Sequence, residues 1–277
     1  MAPSKAAKRT TAAAVRGGAG GAAQTPFENV PWPRLKPKTL PAPEWLIPDQ
    51  VCLFPNFLST DECNAIIRLF SSAETSSEPS IKTSAKNGKT SKSNGPAADG
   101  GSSTPTLALS PSPPAKKGEA VRTNHRASTI DRDFASQLYS IGIDRAVADW
   151  PSLQTKKAGV ERRPAGLHSN IRIYRYDPQA LFGPHYDQSS QCPTTGLLSE
   201  WTLLIYLSGP ESGLTGGQTI FYDKHTTASS TKTWEVEPRT GLALLHRHGY
   251  PACTGTSHQA TKPLNQPEAS APQRFEI

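Results

Sequence analysis

Residues 170 to 189 read NIRIYRYDPQALFGPHYDQS. In the first half Ile171 and Ile173 alternate with Arg172 and Tyr174, the period-two pattern of a strand with one buried face. A proline-containing turn follows, and directly after it His185 and Asp187 stand two positions apart. In an extended chain residues i and i+2 point the same way, so an imidazole and a carboxylate can converge there on one ion. Downstream, WTLLIYL (201–207) is a continuous apolar run bounded by Glu200 and by Ser208, Gly209 and Pro210, as expected of a central strand. GGQTIFY (216–222), TWEVEP (233–238) and GLALLHRH (241–248) then repeat strand patterns separated by turn residues.

Upstream of this region, Val51, Leu53 and Phe54 predict a short strand, and Ser59 with Glu62 has the spacing of a helix capping box. Ile66, Ile67, Leu69 and Phe70 continue at helical spacing. Between residues 131 and 150, Phe134, Leu138, Ile141 and Val147 fall on one helical face, with Gly142 as the expected break. Two helical segments followed by several short strands predict an α+β, mainly β domain: an antiparallel sandwich or barrel with helices on one face.

Composition divides the rest. Of 277 residues 35% are hydrophobic and 19% charged, 26 are proline, and the formal net charge is +7. Residues 1–40 carry seven Lys/Arg against Glu28, and residues 75–122 carry seven against three acids, so the remainder is slightly acidic. This places the positive charge in low-complexity segments and argues against a basic nucleic-acid groove on the core. The expected organisation is a disordered, basic Pro/Ala-rich tail (1–48), a strand and helix of the main domain (49–74), a low-complexity insertion (75–118) that cannot bury enough surface to offset its ordering entropy, and the β core (119–277). No window is long and apolar enough for a membrane-spanning helix, so a soluble chain is expected. Cys52, Cys63, Cys192 and Cys253 show no CxxC spacing and no apolar leader follows Met1, which predicts reduced thiols and an intracellular, cytoplasmic or nuclear, location.

A His and an Asp alone are weak evidence for a metal. A third donor strengthens it: His258 lies 73 residues beyond His185, and two imidazoles with one carboxylate, leaving coordination positions open, suit a non-haem Fe(II) centre. A structural zinc site would ordinarily need four protein ligands, usually with cysteine. His246, in LLHRHG, is a competing third donor, while His125, His168 and His225 sit in polar stretches expected to be exposed. Asn124 and Arg126, in VRTNHR, read as a solvated loop, or, by resemblance to related fungal-type proteins, as a stretch bordering the substrate side.

In their order and spacing, FLSTDEC (57–63), NIRIYRYDPQALFGPHYDQS (170–189), WTLLIYL, GGQTIFY, GLALLHRHG (241–249) and SHQA (257–260) resemble the prolyl 4-hydroxylase-like branch of the 2-oxoglutarate- and Fe(II)-dependent dioxygenases. The resemblance runs from Val51 to His258 with the insertion omitted. It implies a double-stranded β-helix (jelly-roll) core flanked by N-terminal helices. It also implies iron held by His185, Asp187 and His258, and 2-oxoglutarate and O2 as cosubstrates, with ascorbate as an accessory reductant. Tyr176, nine residues before His185, takes the position of a tyrosine that binds the distal carboxylate of 2-oxoglutarate. Gly216 and Gly217 read as turn formers rather than ligand contacts. Family members carry a Lys or Arg ten to fourteen residues beyond the distal His; here 268–272 read EASAP, and Arg274 is the basic residue available. The implied activity is hydroxylation of a C–H bond in an unknown protein or small-molecule substrate, a prolyl or other peptide side chain among them. Its rivals are a catalytically impaired β-helix that only binds a partner and, ranked last, a nucleic-acid binder acting through the basic tails.

Overall fold

In a computed structural model, residues 29–71, 107–150, 163–223 and 232–248 are described, together with the strands Thr256–Thr261 and Arg274–Glu276. Residues 1–28 of the expected tail, most of the expected insertion, His225 and Cys253 lie outside the described residues.

The strands expected around 51–54, 170–176, 201–207, 216–222, 233–238 and 241–248 form, and among the described residues six others join them. In chain order they are β1 (Glu44–Ile47), β2 (Val51–Phe54), β3 (Ser110–Pro111), β4 (His125–Ile130), β5 (Asn170–Tyr176), β6 (Phe182–His185), β7 (Trp201–Ile205), β8 (Thr219–Asp223), β9 (Thr233–Val236), β10 (Ala243–Arg247), β11 (Thr256–Thr261) and β12 (Arg274–Glu276). They assemble into three antiparallel four-stranded sheets, ordered β1-β2-β10-β7, β6-β11-β8-β9 and β12-β5-β4-β3. The chain is mainly β, with two principal helices, α1 (Thr60–Ser71) and α2 (Arg132–Leu138).

The β2-β10-β7 sheet is covered on both sides, which explains why its strands read as apolar runs rather than as alternations. Along β10, Ala243 and Leu245 enter one core with Phe54, Ile66, Phe134 and Ile173, where α1 and α2 pack. Leu242 and Leu244 enter a second core with Val51, Tyr206, Phe221 and Val236. Burying each such large side chain contributes about 1.5–3 kcal/mol. Just before β10, Gly241 has φ 78° and hydrogen-bonds Leu58 N, and a Cβ there would overlap the Leu58 carbonyl, so only glycine fits. Gly216 and Gly217 also have positive φ and turn the chain into β8.

Both helices start on caps. Ser59 Oγ accepts from Glu62 N (3.2 Å) while Glu62 Oε2 accepts from Ser59 N (2.8 Å), the expected capping box, and Lys38 Nζ adds an ion pair at 3.2 Å. Asp131 Oδ1 accepts from Phe134 N at 2.8 Å to cap α2. The break at Gly142 also appears: α2 passes into a single π-helical turn, Tyr139–Ile143, and Gly142 leaves helical geometry. A side chain at Gly142 would strike Lys38 O and the Leu40 side chain.

That contact corrects the expected boundary at residue 48. Val30 and Leu35 are buried, Trp32 stacks on Phe134 at 4.2 Å and donates to Asp131 Oδ2 at 2.9 Å, and β1 pairs with β2. Residues 29–48 are therefore packed structure, because their partners in α2 supply the burial that a proline-rich composition lacks by itself. The expected end of the insertion moves likewise. Leu107 is buried with its amide bonded to Leu69 O, and β3 pairs with β4. Cys52, Cys63 and Cys192 are free and buried, and burial pushes the Cys52 and Cys63 thiols up to about 12.

Candidate metal and anion site

β6 ends on His185, and Asp187 follows with its carboxylate turned back: His185 Nε2 lies 3.5 Å from Asp187 Oδ1. His185 Nδ1 lies 2.9 Å from the Gly183 carbonyl oxygen. A carbonyl only accepts, so Nδ1 carries a proton, and Nε2 is the ring nitrogen turned to the carboxylate. Phe182 stacks on the imidazole at 3.7 Å and fixes its plane.

The other carboxylate oxygen is gripped by a cross-strand pair. Thr202 of β7 and His246 of β10 are register partners. Thr202 Oγ1 donates to Asp187 Oδ2 at 2.8 Å, and His246 Nε2 lies 3.4 Å from the same oxygen. Burial would by itself raise the Asp187 pKa. The His185 hydrogen bond, the His246 and His185 charges and the Thr202 hydroxyl outweigh it and hold the carboxyl well below the ordinary carboxylate range. Burial lowers His246 to about 4, so this ring is neutral near pH 7. His246 Nε2 and His248 Nδ1 are buried without a hydrogen-bond partner.

Of the residues expected to act, His185 and Asp187 meet. The side chains of His258 and Arg274 lie outside the described residues, but the registers of their strands are given. β11 lies between β6 and β8, and Gln259, the neighbour of His258, pairs with His185. Arg274 pairs with Tyr176. Tyr176 is 1% exposed, beside Ala180 and Leu214. Among the described residues no three His, Cys, Asp or Glu side chains gather closely enough to enclose an ion. The donor set nevertheless fits a divalent cation: an imidazole nitrogen lies beside a carboxylate whose far oxygen is bonded to Thr202.

Sequence reasoning passed over Thr202 and ranked His246 second. The signals existed, since Thr202 interrupts an apolar run and His246 continues the Leu242, Leu244 alternation. Two further expectations change. His125 is half-buried, with Nδ1 3.0 Å from Asp177 Oδ2, and His168 accepts from Asn170 N. Asn124 is fully buried rather than solvated, and its Oδ1 accepts from Ser112 Oγ at 2.7 Å.

No family model and no curated protein matches the chain. Solved structures align at low similarity. A viral collagen prolyl hydroxylase from Paramecium Bursaria Chlorella virus-1, in complex with 2OG, is 15% identical over 82% of this chain and 92% of its own, with TM-score 0.40. A Pseudomonas putida prolyl-4-hydroxylase is 13% identical over 61% of this chain and 74% of its own, with TM-score 0.35. OsALKBH1 is 13% identical over 84% of this chain and 98% of its own, with TM-score 0.45.

Proposed function

We propose that the chain is an Fe(II)- and 2-oxoglutarate-dependent dioxygenase of the prolyl 4-hydroxylase-like type on a double-stranded β-helix core. The observation that carries this reading is His185 Nε2 lying 3.5 Å from Asp187 Oδ1, an imidazole nitrogen and a carboxylate brought to one point by the turn after β6. His185 and Asp187 supply two iron ligands. His258, one position from the register partner of His185, is the expected third ligand, and His246, 3.4 Å from Asp187 Oδ2, is its competitor. Bound iron and 2-oxoglutarate provide, with O2, an oxidant that hydroxylates an unactivated C–H bond, and ascorbate is the accessory reductant.

The chain's own residues orient and shield. Thr202 holds Oδ2, with His246 3.4 Å from the same oxygen, so that Oδ1 faces His185. Phe182 excludes water from one face of the imidazole. Tyr176 and Arg274, register partners on β5 and β12, take the distal carboxylate of 2-oxoglutarate as a hydroxyl and a guanidinium.

The test is an anaerobic titration of Fe(II)-loaded protein with 2-oxoglutarate, following the visible metal-to-ligand charge-transfer band. A band that forms, weakens in Arg274→Ala and is absent in Asp187→Ala supports the enzyme. Iron binding without a band leaves a β-helix module that holds metal and binds a partner. Failure to bind iron overturns the metal site.

A further inference from the structure

The two faces of the β4-β5 ladder differ in charge balance. On the face turned to the helices, Arg175 and His125 are register partners, and Asp177 meets both, Oδ1 at 3.1 Å from Arg175 Nε and Oδ2 at 3.0 Å from His125 Nδ1. The opposite face carries Arg126 and Tyr174 as one register pair and Ser128 and Arg172 as the next. Arg122, four residues before Arg126 in an extended stretch, falls on the same side.

Among the described residues none of these three arginines has a carboxylate partner, and Arg126 Nε is buried without a hydrogen bond. β12 adds Arg274 and Glu276 at the register positions of Tyr176 and Tyr174, so the row stays net positive. Burial and the charges of Arg122 and Arg172 all push the Arg126 pKa down, with Tyr174 opposing. Like charges held together without a counter-ion cost free energy that an anion would recover.

The row reaches the metal site. Arg122 pairs with Phe182, and its guanidinium lies 4.0 Å over the Phe182 ring. His185 stacks on the same ring at 3.7 Å, and two groups that close cannot share one face. Phe182 is thus layered between the outermost arginine and the metal-binding imidazole.

We infer that Arg122, Arg126 and Arg172 form an anion subsite for the substrate: the molecule oxidised at His185 and Asp187 carries a carboxylate or phosphate group that these arginines hold. The subsite stands on the β4-β5 geometry, and only the word substrate rests on the dioxygenase reading. Guanidinium forks pair with such groups by two parallel hydrogen bonds.

Iron-free full-length protein is titrated calorimetrically with inorganic phosphate and with malonate, the tighter probe identifying the group. Arg126→Gln is expected to weaken binding about tenfold, as loss of a charge-assisted hydrogen bond should. Exposed Arg172→Gln should weaken it less, Arg126→Lys should retain part of it, and His185→Ala should leave it unchanged. Equal affinity in all the arginine variants overturns the subsite. So does displacement of 2-oxoglutarate by the probe, seen as loss of the charge-transfer band in iron-loaded protein, since the arginines would then be holding the cosubstrate. Failure of the protein to bind iron, with anion binding intact, overturns only the dioxygenase reading.

Discussion

On the helix side of the β4-β5 ladder, Arg175 is 5% exposed and ion-paired through Asp177, which also meets His125. On the other side Arg122, Arg126 and Arg172 share a row without a described carboxylate partner. The same strands thus carry one cluster closed in charge, because it contains its own carboxylate, and one left open. Closed clusters of this kind, like Ser59, Glu62 and Lys38 at the start of α1, hold the fold together. Open ones, such as the arginine row and the facing donors of His185 and Asp187, have polar groups left for something outside the chain.

The largest effect should come from breaking the closed cluster. Asp177→Ala removes the carboxylate beside a buried guanidinium and should cost about 3 kcal/mol, the lower end for breaking a buried pair, measured by urea denaturation. If it costs no more than a surface change, the distinction between closed and open clusters collapses.

Next in size is Thr202→Val. It removes the hydroxyl that fixes Asp187 Oδ2, and iron affinity should fall by about 10- to 100-fold, read by competition with a chelator, while stability changes little.

Ser59→Ala opens the capping box and should cost about 1 kcal/mol of stability. The burial of Glu62 raises its pKa, but the Ser59 amide and Lys38 outweigh it and bring the value below normal. A carboxyl depressed in the folded state stabilises above its unfolded pKa and loses that contribution as pH falls through the folded value. The cost of removing that carboxylate by Glu62→Gln should therefore shrink on acidification below the ordinary carboxylate range, followed by thermal melts across pH.

The smallest effect is the sharpest for the open row. Arg172→Gln should change stability by no more than about 0.5 kcal/mol, as exposed substitutions do, while still lowering anion affinity.

Much of this was legible in the sequence. The cap at Ser59, the break at Gly142 and several strands of the β core follow from local chemistry and from periods of two and 3.6. Residues 29–48 were not, because Trp32 and Leu35 are placed by α2, about a hundred residues away, and proline content records nothing of a distant partner. At the site, the HxD spacing made the His185–Asp187 contact predictable. The grip of Thr202 and His246 depends on the register between β7 and β10, which no single strand encodes. The arginine row was hidden for the same reason: Arg122 and Arg126 are far from Arg172 along the chain and become neighbours only across the β4-β5 ladder.

The pairing of β2 with β10 has a consequence for how the chain is made. Val51 finds its ladder partner, His246, only after about 200 further residues have been synthesised. At ribosomal rates of about 5–20 residues per second, β2 and the apolar face of α1 wait roughly ten to forty seconds for the strand that completes their sheet. Contacts of such long sequence separation also slow the folding step itself. A nascent chain of this design should lean on holding chaperones until residue 247 has left the ribosome.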